Sequence, residues 1–128
     1  MTKSNFAYDL EFGQEGENAV RNLLTIETVE VKRDAKWFET GNLYIETECF
    51  MMRSGEYEPS GLAKTEASHW AFSLDDLTVI VPTETLRKVV ETYGRKVECK
   101  IPPNPSRGYL IKLGHISEYV KSVHEGAE

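Results

Sequence analysis

The chain has 128 residues, a net charge of −6 at pH 7 and two cysteines. A chain of this length is expected to form one domain that buries about two-thirds of the surface of its unfolded state. Its apolar and charged fractions are those of an ordinary globular protein and argue against global disorder. The negative charge argues against loose, purely electrostatic binding to nucleic acid, because phosphate affinity comes from clustered Lys and Arg.

The two cysteines and the absence of targeting signals predict an intracellular protein. Cys49 and Cys99 fit no zinc-ligand spacing, and no signal peptide precedes them, so we expect reduced thiols. No apolar run approaches the roughly 20 residues of a membrane helix. We therefore expect a soluble cytoplasmic protein with no membrane partner, or one of the host cytoplasm if a phage encodes it.

The hydrophobic pattern predicts helices and strands along the whole chain. In chain order these are a short strand or extended lead-in over 6–12, a helix over 14–24, strands over 28–34 and 43–50, a loop over 53–61, a short helix over 62–70, strands over 70–74 and 77–81, a helix from 83 to Gly94, a hairpin of 97–101 with 109–113, and a helix over 116–123.

This order predicts a mixed α/β or α+β fold with a central mixed β-sheet flanked by helices. We expect a single domain over residues 1–128. Its core should span about 13–94, followed by a C-terminal hairpin and helix over 95–124.

Acidic side chains recur on two successive predicted strands. Side chains alternate between the faces of a strand, so Glu30, Lys32 and Asp34 should share one face of the first strand. By the same rule Glu46 and Glu48 should point together from the second. Carboxylate oxygens suit Mg²⁺ or Mn²⁺, and Asp34 with Glu46, on strands expected to be neighbours, is the best-placed pair.

The arrangement resembles the PD-(D/E)xK nuclease superfamily, in particular its restriction-endonuclease-like and Holliday-junction-resolvase-like members encoded by phages. An acid at one strand end (Asp34) is followed by an acid-x-acid triplet on the next strand (Glu46 and Glu48), and a Gly-x-x-Gly-Glu segment ending at Glu17 lies upstream. The likeness covers roughly residues 14–81.

The resemblance implies a nuclease-like α/β core in which Asp34 and Glu46 bind the metal. Glu17 would be an accessory ligand, and Glu48 would take the position that a lysine usually holds. The implied reaction is hydrolysis of DNA by a metal-activated water, with Glu48 or Lys64 assisting. Members of this kind commonly dimerise, so a homodimer is also implied.

The sequence departs from the superfamily pattern at two points. Arg33 stands where the motif proline would be, and the motif lysine is missing, which makes Lys64 or Lys32 a candidate replacement. A rival register uses Glu30-Val-Lys32, with Asp9 or Glu11 as the preceding acid.

A second hypothesis has no catalysis. The missing lysine and the charge of −6 also fit an acidic binding protein with a nuclease-like fold, which would mimic DNA and block a host protein or serve as an accessory subunit. Each candidate residue has an ordinary alternative: Glu46, Glu48 and Lys64 as solvated surface residues, Asp34 as a turn residue, and Glu17 as a first-turn helix acid.

Overall fold

The computed structural model describes residues 3–26, 28–101 and 104–126, with side chains from Leu10 onward. In chain order the elements are α1 (Lys3–Leu24), β1 (Val29–Lys32), α2 (Trp37–Thr40), β2 (Asn42–Met51), β3 (Glu56–Pro59), a 3-10 helix (Gly61–Ala63), β4 (His69–Leu74), β5 (Leu77–Pro82), α3 (Thr83–Tyr93), β6 (Arg95–Cys99), β7 (Ser106–Lys112) and α4 (Leu113–Gly126).

The strands form two sheets. The first has the order β1-β4-β5, in which β1 is parallel to β4 and β4 is antiparallel to β5. The second is fully antiparallel, in the order β3-β2-β7-β6. The predicted α+β class is confirmed, although the strands divide between two sheets where we expected one central sheet.

One hydrophobic core joins the two sheets and the helices. Leu43, Ile45 and Ile111 come from the second sheet, and Trp70 and Phe72 from the first. Helix α3 adds Leu86, Val89 and Val90, and α4 adds Ile116. Since β7 and α4 contribute core residues, the C-terminal hairpin and helix belong to the same packing unit as residues 13–94.

The predicted helix from residue 83 to Gly94 is confirmed by α3, whose sequence shows why it is helical. Leu86, Val89 and Val90 recur at helical spacing and are buried on one face. The buried Thr83 hydroxyl donates to the Ala67 carbonyl oxygen at 2.6 Å. This bond attaches the start of the helix to the segment that precedes β4.

Three predicted elements differ in the structure. Residues 6–12 are part of α1, because Gly13 weakens an exposed helix by about 1 kcal/mol without ending it. The predicted helix over 62–70 is a 3-10 turn followed by the start of β4, which is held by strand pairing on both sides. The predicted loop over 53–61 contains β3, which pairs with β2.

Helix α1 is almost wholly exposed over its described side chains; Leu10, Phe12, Val20 and Leu24 are all more than half exposed. Over the residues that the structure describes, no helix is both long enough and apolar enough to cross a bilayer.

Candidate functional site

A cleft of about 700 Å³ lies between the second sheet and the loop that follows β1. Tyr44 and Glu46 of β2, Leu110 of β7, and Val97 and Cys99 of β6 line it from the sheet. The loop side includes residues 32–36, and the chain just after β6 adds Lys100 and Ile101. We call it the β1-loop cleft.

Asp34 attaches the loop to the second sheet. Its Oδ1 accepts a hydrogen bond from the Lys36 amide at 2.9 Å, and its Oδ2 accepts one from the Tyr44 amide at 3.0 Å. The prediction that Asp34 and Glu46 belong to neighbouring strands is wrong, since β1 and β2 lie in different sheets. Nevertheless both residues line the β1-loop cleft, because the hydrogen bond from the Tyr44 amide attaches the loop to β2.

Glu46 is half-buried, and its backbone is enclosed by two glycines. A Cβ on Gly61 would lie 2.2 Å from the Glu46 carbonyl oxygen, and one on Gly108 would lie 2.2 Å from the Ile45 carbonyl oxygen. The Ser60 hydroxyl donates to Glu46 Oε2 at 2.8 Å. The backbone of Gly61 and Gly108 therefore packs closely around Glu46, which lines the cleft.

A β-bulge separates Glu46 from Glu48. Glu46 pairs with Gly108 and Glu48 with Arg107, so Thr47 is the extra residue. Because adjacent residues of β7 face opposite ways, Glu46 and Glu48 lie on opposite faces. The prediction that these two acids point together is wrong.

The face that carries Glu48 also carries an exposed cluster of three side chains. The Tyr57 hydroxyl donates to Glu98 at 3.1 Å, and the Arg107 guanidinium lies 3.6 Å from the centre of the Tyr57 ring. The Tyr57 hydrogen bond, helped by Arg107, holds the pKa of the Glu98 carboxyl below its ordinary value. By strand register Glu48 belongs beside this cluster rather than in the β1-loop cleft.

The charge balance of the cleft is opposite to that of the whole chain. Its lining includes four cations (Lys32, Arg33, Lys36 and Lys100) and three acids (Asp34, Glu46 and Glu98), of which Glu98 directs its carboxylate to the opposite face of the sheet. The whole chain carries a net charge of −6. A local excess of positive charge favours an anionic ligand.

Three of these cations are paired on the surface and one is not. Lys32 lies 3.1 Å from Glu30, Arg33 2.6 Å from Asp75 and Lys36 3.6 Å from Glu39. Such exposed pairs contribute about 0–1 kcal/mol, so an anionic ligand can compete for them. Lys100 makes no ion pair with any residue that the structure describes.

Tyr44 contributes a neutral polar group. Its hydroxyl lies 2.7 Å from Ser106 Oγ. Burial raises the pKa of Tyr44, the Ser106 hydrogen bond lowers it, and the Glu46 charge raises it, with a net rise. The hydroxyl therefore stays protonated at neutral pH.

Two other predicted site residues lie elsewhere. Glu17 is exposed on α1 and pairs with Arg21 at 3.7 Å. Lys64 is exposed just after the 3-10 helix. Neither lines the β1-loop cleft as far as the described chain extends, so a role for either stays a prediction. In the rival register, Glu30 pairs with Lys32, Glu11 is exposed on α1, and the Asp9 side chain lies outside those described.

The cleft contains two carboxylates, Asp34 and Glu46, of the ligand type that Mg²⁺ and Mn²⁺ prefer. Within the described ranges, no group of three or more His, Cys, Asp and Glu residues is arranged to hold a metal ion. A typical Mg²⁺ site needs only one or two carboxylates, completed by waters and substrate phosphate. Glu46 Oε1 accepts no hydrogen bond from the described residues, and each Asp34 oxygen accepts only one, which leaves lone pairs free.

Sequence reasoning missed several contributors. Lys36 and Ser60 were treated as loop residues, and Tyr44 and Lys100 as ordinary strand residues. The one available signal was the Pro59-Ser60-Gly61 segment, since a glycine at a turn indicates a positive φ or a close approach of backbone.

Comparison of the chain with protein-family models, with curated proteins and with solved structures gave no match.

Proposed function

We propose that this protein is a divalent-metal-dependent nuclease that hydrolyses phosphodiester bonds in DNA. The observation that carries the proposal is the meeting of Asp34 and Glu46 in one cleft that also holds four cations. Asp34 lies in the loop that follows a strand of one sheet, Glu46 lies on a strand of the other, and the backbone of Glu46 is enclosed by the two close glycines. The β-bulge at Thr47 follows Glu46 directly. Such bulges are over-represented beside active sites, where they direct a side chain.

Asp34 and Glu46 would hold the metal ion. When bound, Mg²⁺ polarises a phosphoryl oxygen and lowers the pKa of a water, which is the chemistry that phosphodiester hydrolysis needs. Ser60 orients the Glu46 carboxylate through its hydrogen bond, and the two backbone amides fix Asp34. Lys36 and Lys100 attract and orient the phosphate. The Glu48 carboxylate faces away and takes no part.

A second protomer completes the DNA-binding surface in this proposal. The chain has 15 Lys and Arg against 21 Asp and Glu, and four of the cations lie at the cleft. A homodimer would place two such clefts along one nucleic acid, which doubles the number of cations available to phosphate.

Substitution of Glu46 tests the proposal. We expect Glu46→Gln to lower Mg²⁺-dependent cleavage of a DNA panel by at least about 100-fold, since loss even of an outer-shell partner costs 10–100-fold. The matched variant Glu48→Gln, one strand position past the bulge, should keep activity within a few-fold. Unchanged cleavage by Glu46→Gln, with its thermal midpoint also unchanged, would contradict the proposal.

A non-catalytic binding protein is the second candidate, favoured by one observation. Both Asp34 carboxylate oxygens already accept hydrogen bonds from backbone amides, as a purely structural turn residue does. Titration with Mn²⁺ separates the two candidates. Saturable binding with a rise in thermal midpoint that Glu46→Gln removes supports the nuclease, whereas no binding supports an acidic protein that docks on a host partner.

A further inference from the structure

The floor of the β1-loop cleft changes in character across the second sheet. Across the second sheet, Glu46 of β2 pairs with Gly108 of β7, and Gly108 pairs with Val97 of β6. Cross-strand partners share a face, so this row presents a carboxylate, a glycine whose side-chain position is closed off by the β2 backbone, and an apolar side chain. The two ends are separated by two strand spacings, about 9.5 Å.

The end of the cleft away from Glu46 is apolar and ends in a cation. Val97 and Leu110 are half-buried there, and Ile101 is 65% exposed beside the unpaired Lys100. A sugar–phosphate backbone that merely crossed the cleft would meet the charged groups and leave this apolar wall unused. The wall fits a flat, largely apolar group attached to a phosphate.

The cleft has the dimensions of a small-molecule site. Its volume of about 700 Å³ falls within the range of about 300–1,000 Å³ that such sites occupy. A base inside an intact duplex cannot offer its faces to a protein wall, because its neighbours in the stack cover them. Enzymes that enclose a base therefore act on single strands or extrude the nucleotide.

The geometry points to a nucleotide-binding cleft: the phosphate lies beside Lys36 and Lys100, and the unstacked base lies against Val97, Leu110 and Ile101. The substrate is then single-stranded or frayed nucleic acid rather than intact duplex. The cleavage part of this inference rests on the proposed nuclease function, whereas the binding part does not.

Calorimetric titration with three probes tests the binding: thymidine 5′-monophosphate, inorganic phosphate and thymidine. We expect the nucleotide to bind at least about tenfold more tightly than phosphate, because one face of the base removes apolar surface of the wall from water. A nucleotide that binds no more tightly than phosphate overturns the inference.

Two cleft variants and one control test which residues contact the phosphate and which contact the base. Lys100→Met should weaken both the nucleotide and phosphate by about tenfold, through loss of a charged contact. Ile101→Ser should weaken the nucleotide by about fivefold and leave phosphate unchanged, because only the base contact is lost. Lys96→Met, on the same strand as Val97 but on the opposite face, should change neither. Equal losses for both probes in Ile101→Ser contradict the placement of the base.

Cleavage assays separate this inference from the proposed function. Preference for a single strand over the same sequence as a blunt duplex supports both. Efficient cleavage of the blunt duplex without nucleotide binding overturns the inference and leaves the nuclease proposal standing. Nucleotide binding without any metal-dependent cleavage overturns the nuclease proposal and supports the nucleotide cleft.

Discussion

At the scale of single residues, Gly61 and Gly55 make a natural pair of test positions. Both have a positive φ, +51° and +69°, but only Gly61 is packed against backbone. A Cβ at Gly55 meets open space, whereas one at Gly61 would lie 2.2 Å from the Glu46 carbonyl oxygen. The first substitution therefore adds only conformational strain, and the second adds a collision.

We expect Gly55→Ala to lower the free energy of unfolding by about 1–2 kcal/mol, the cost of a left-handed conformation for an L-residue. Gly61→Ala should lower it by about 3 kcal/mol or more, since overpacking adds a further 1–3 kcal/mol. Urea unfolding followed by tryptophan fluorescence measures both. Equal losses would show that the Gly61 contact with Glu46 is loosely packed.

Residue identities predicted the cleft acids but not where every acid points. Asp34 and Glu46 were paired on the expectation of neighbouring strands; they do line one cleft, although the two strands lie in different sheets. Glu48 was placed wrongly because a bulge reverses alternation, and Thr47 has no sequence feature that marks it as the extra residue. The pairing of strands could not be predicted from the sequence either, since β1 pairs with a strand about 40 residues later in the chain.

At the scale of elements, prediction succeeded where apolar periodicity follows burial. Helix α3 and the strands β2, β4 and β5 were recognised because one face of each contacts the core. It failed for β3, a four-residue edge strand whose sequence is mostly polar. It also failed at the start of α1, whose exposed helix has little apolar periodicity to detect.

Substitution of the two glycines of α1 should stabilise that helix without changing the stability of the core. Gly13 and Gly16 face open space, and a helix-interior glycine costs about 1 kcal/mol relative to alanine. We expect the double variant Gly13→Ala, Gly16→Ala to increase the helical circular-dichroism signal. The midpoint of the tryptophan fluorescence transition should stay unchanged, because Trp70 is buried in the core and α1 is not. A clear rise in that midpoint would indicate that α1 stabilises the core.

At the scale of the whole molecule, the two sheets are coupled through one cluster of side chains. Leu86 is fully buried and lies in the cluster that contains Ile45 of the second sheet and Phe72 of the first. The two sheets share no strand, so this cluster and α3 supply the coupling. The cleft depends on it, because Asp34 follows a strand of one sheet and Glu46 lies on a strand of the other.

Truncation of Leu86 should therefore weaken both sheets together. We expect Leu86→Ala to lower the free energy of unfolding by about 2–5 kcal/mol, through lost burial and a residual cavity. Amide hydrogen exchange should show the same loss of protection at Ile45 in β2 and at Phe72 in β4. Leu77→Ala is the control, because Leu77 is 51% exposed at the end of β5 and should cost less than about 1 kcal/mol. Loss of protection confined to one sheet would show that the sheets unfold separately, and that the cleft between them can open without global unfolding.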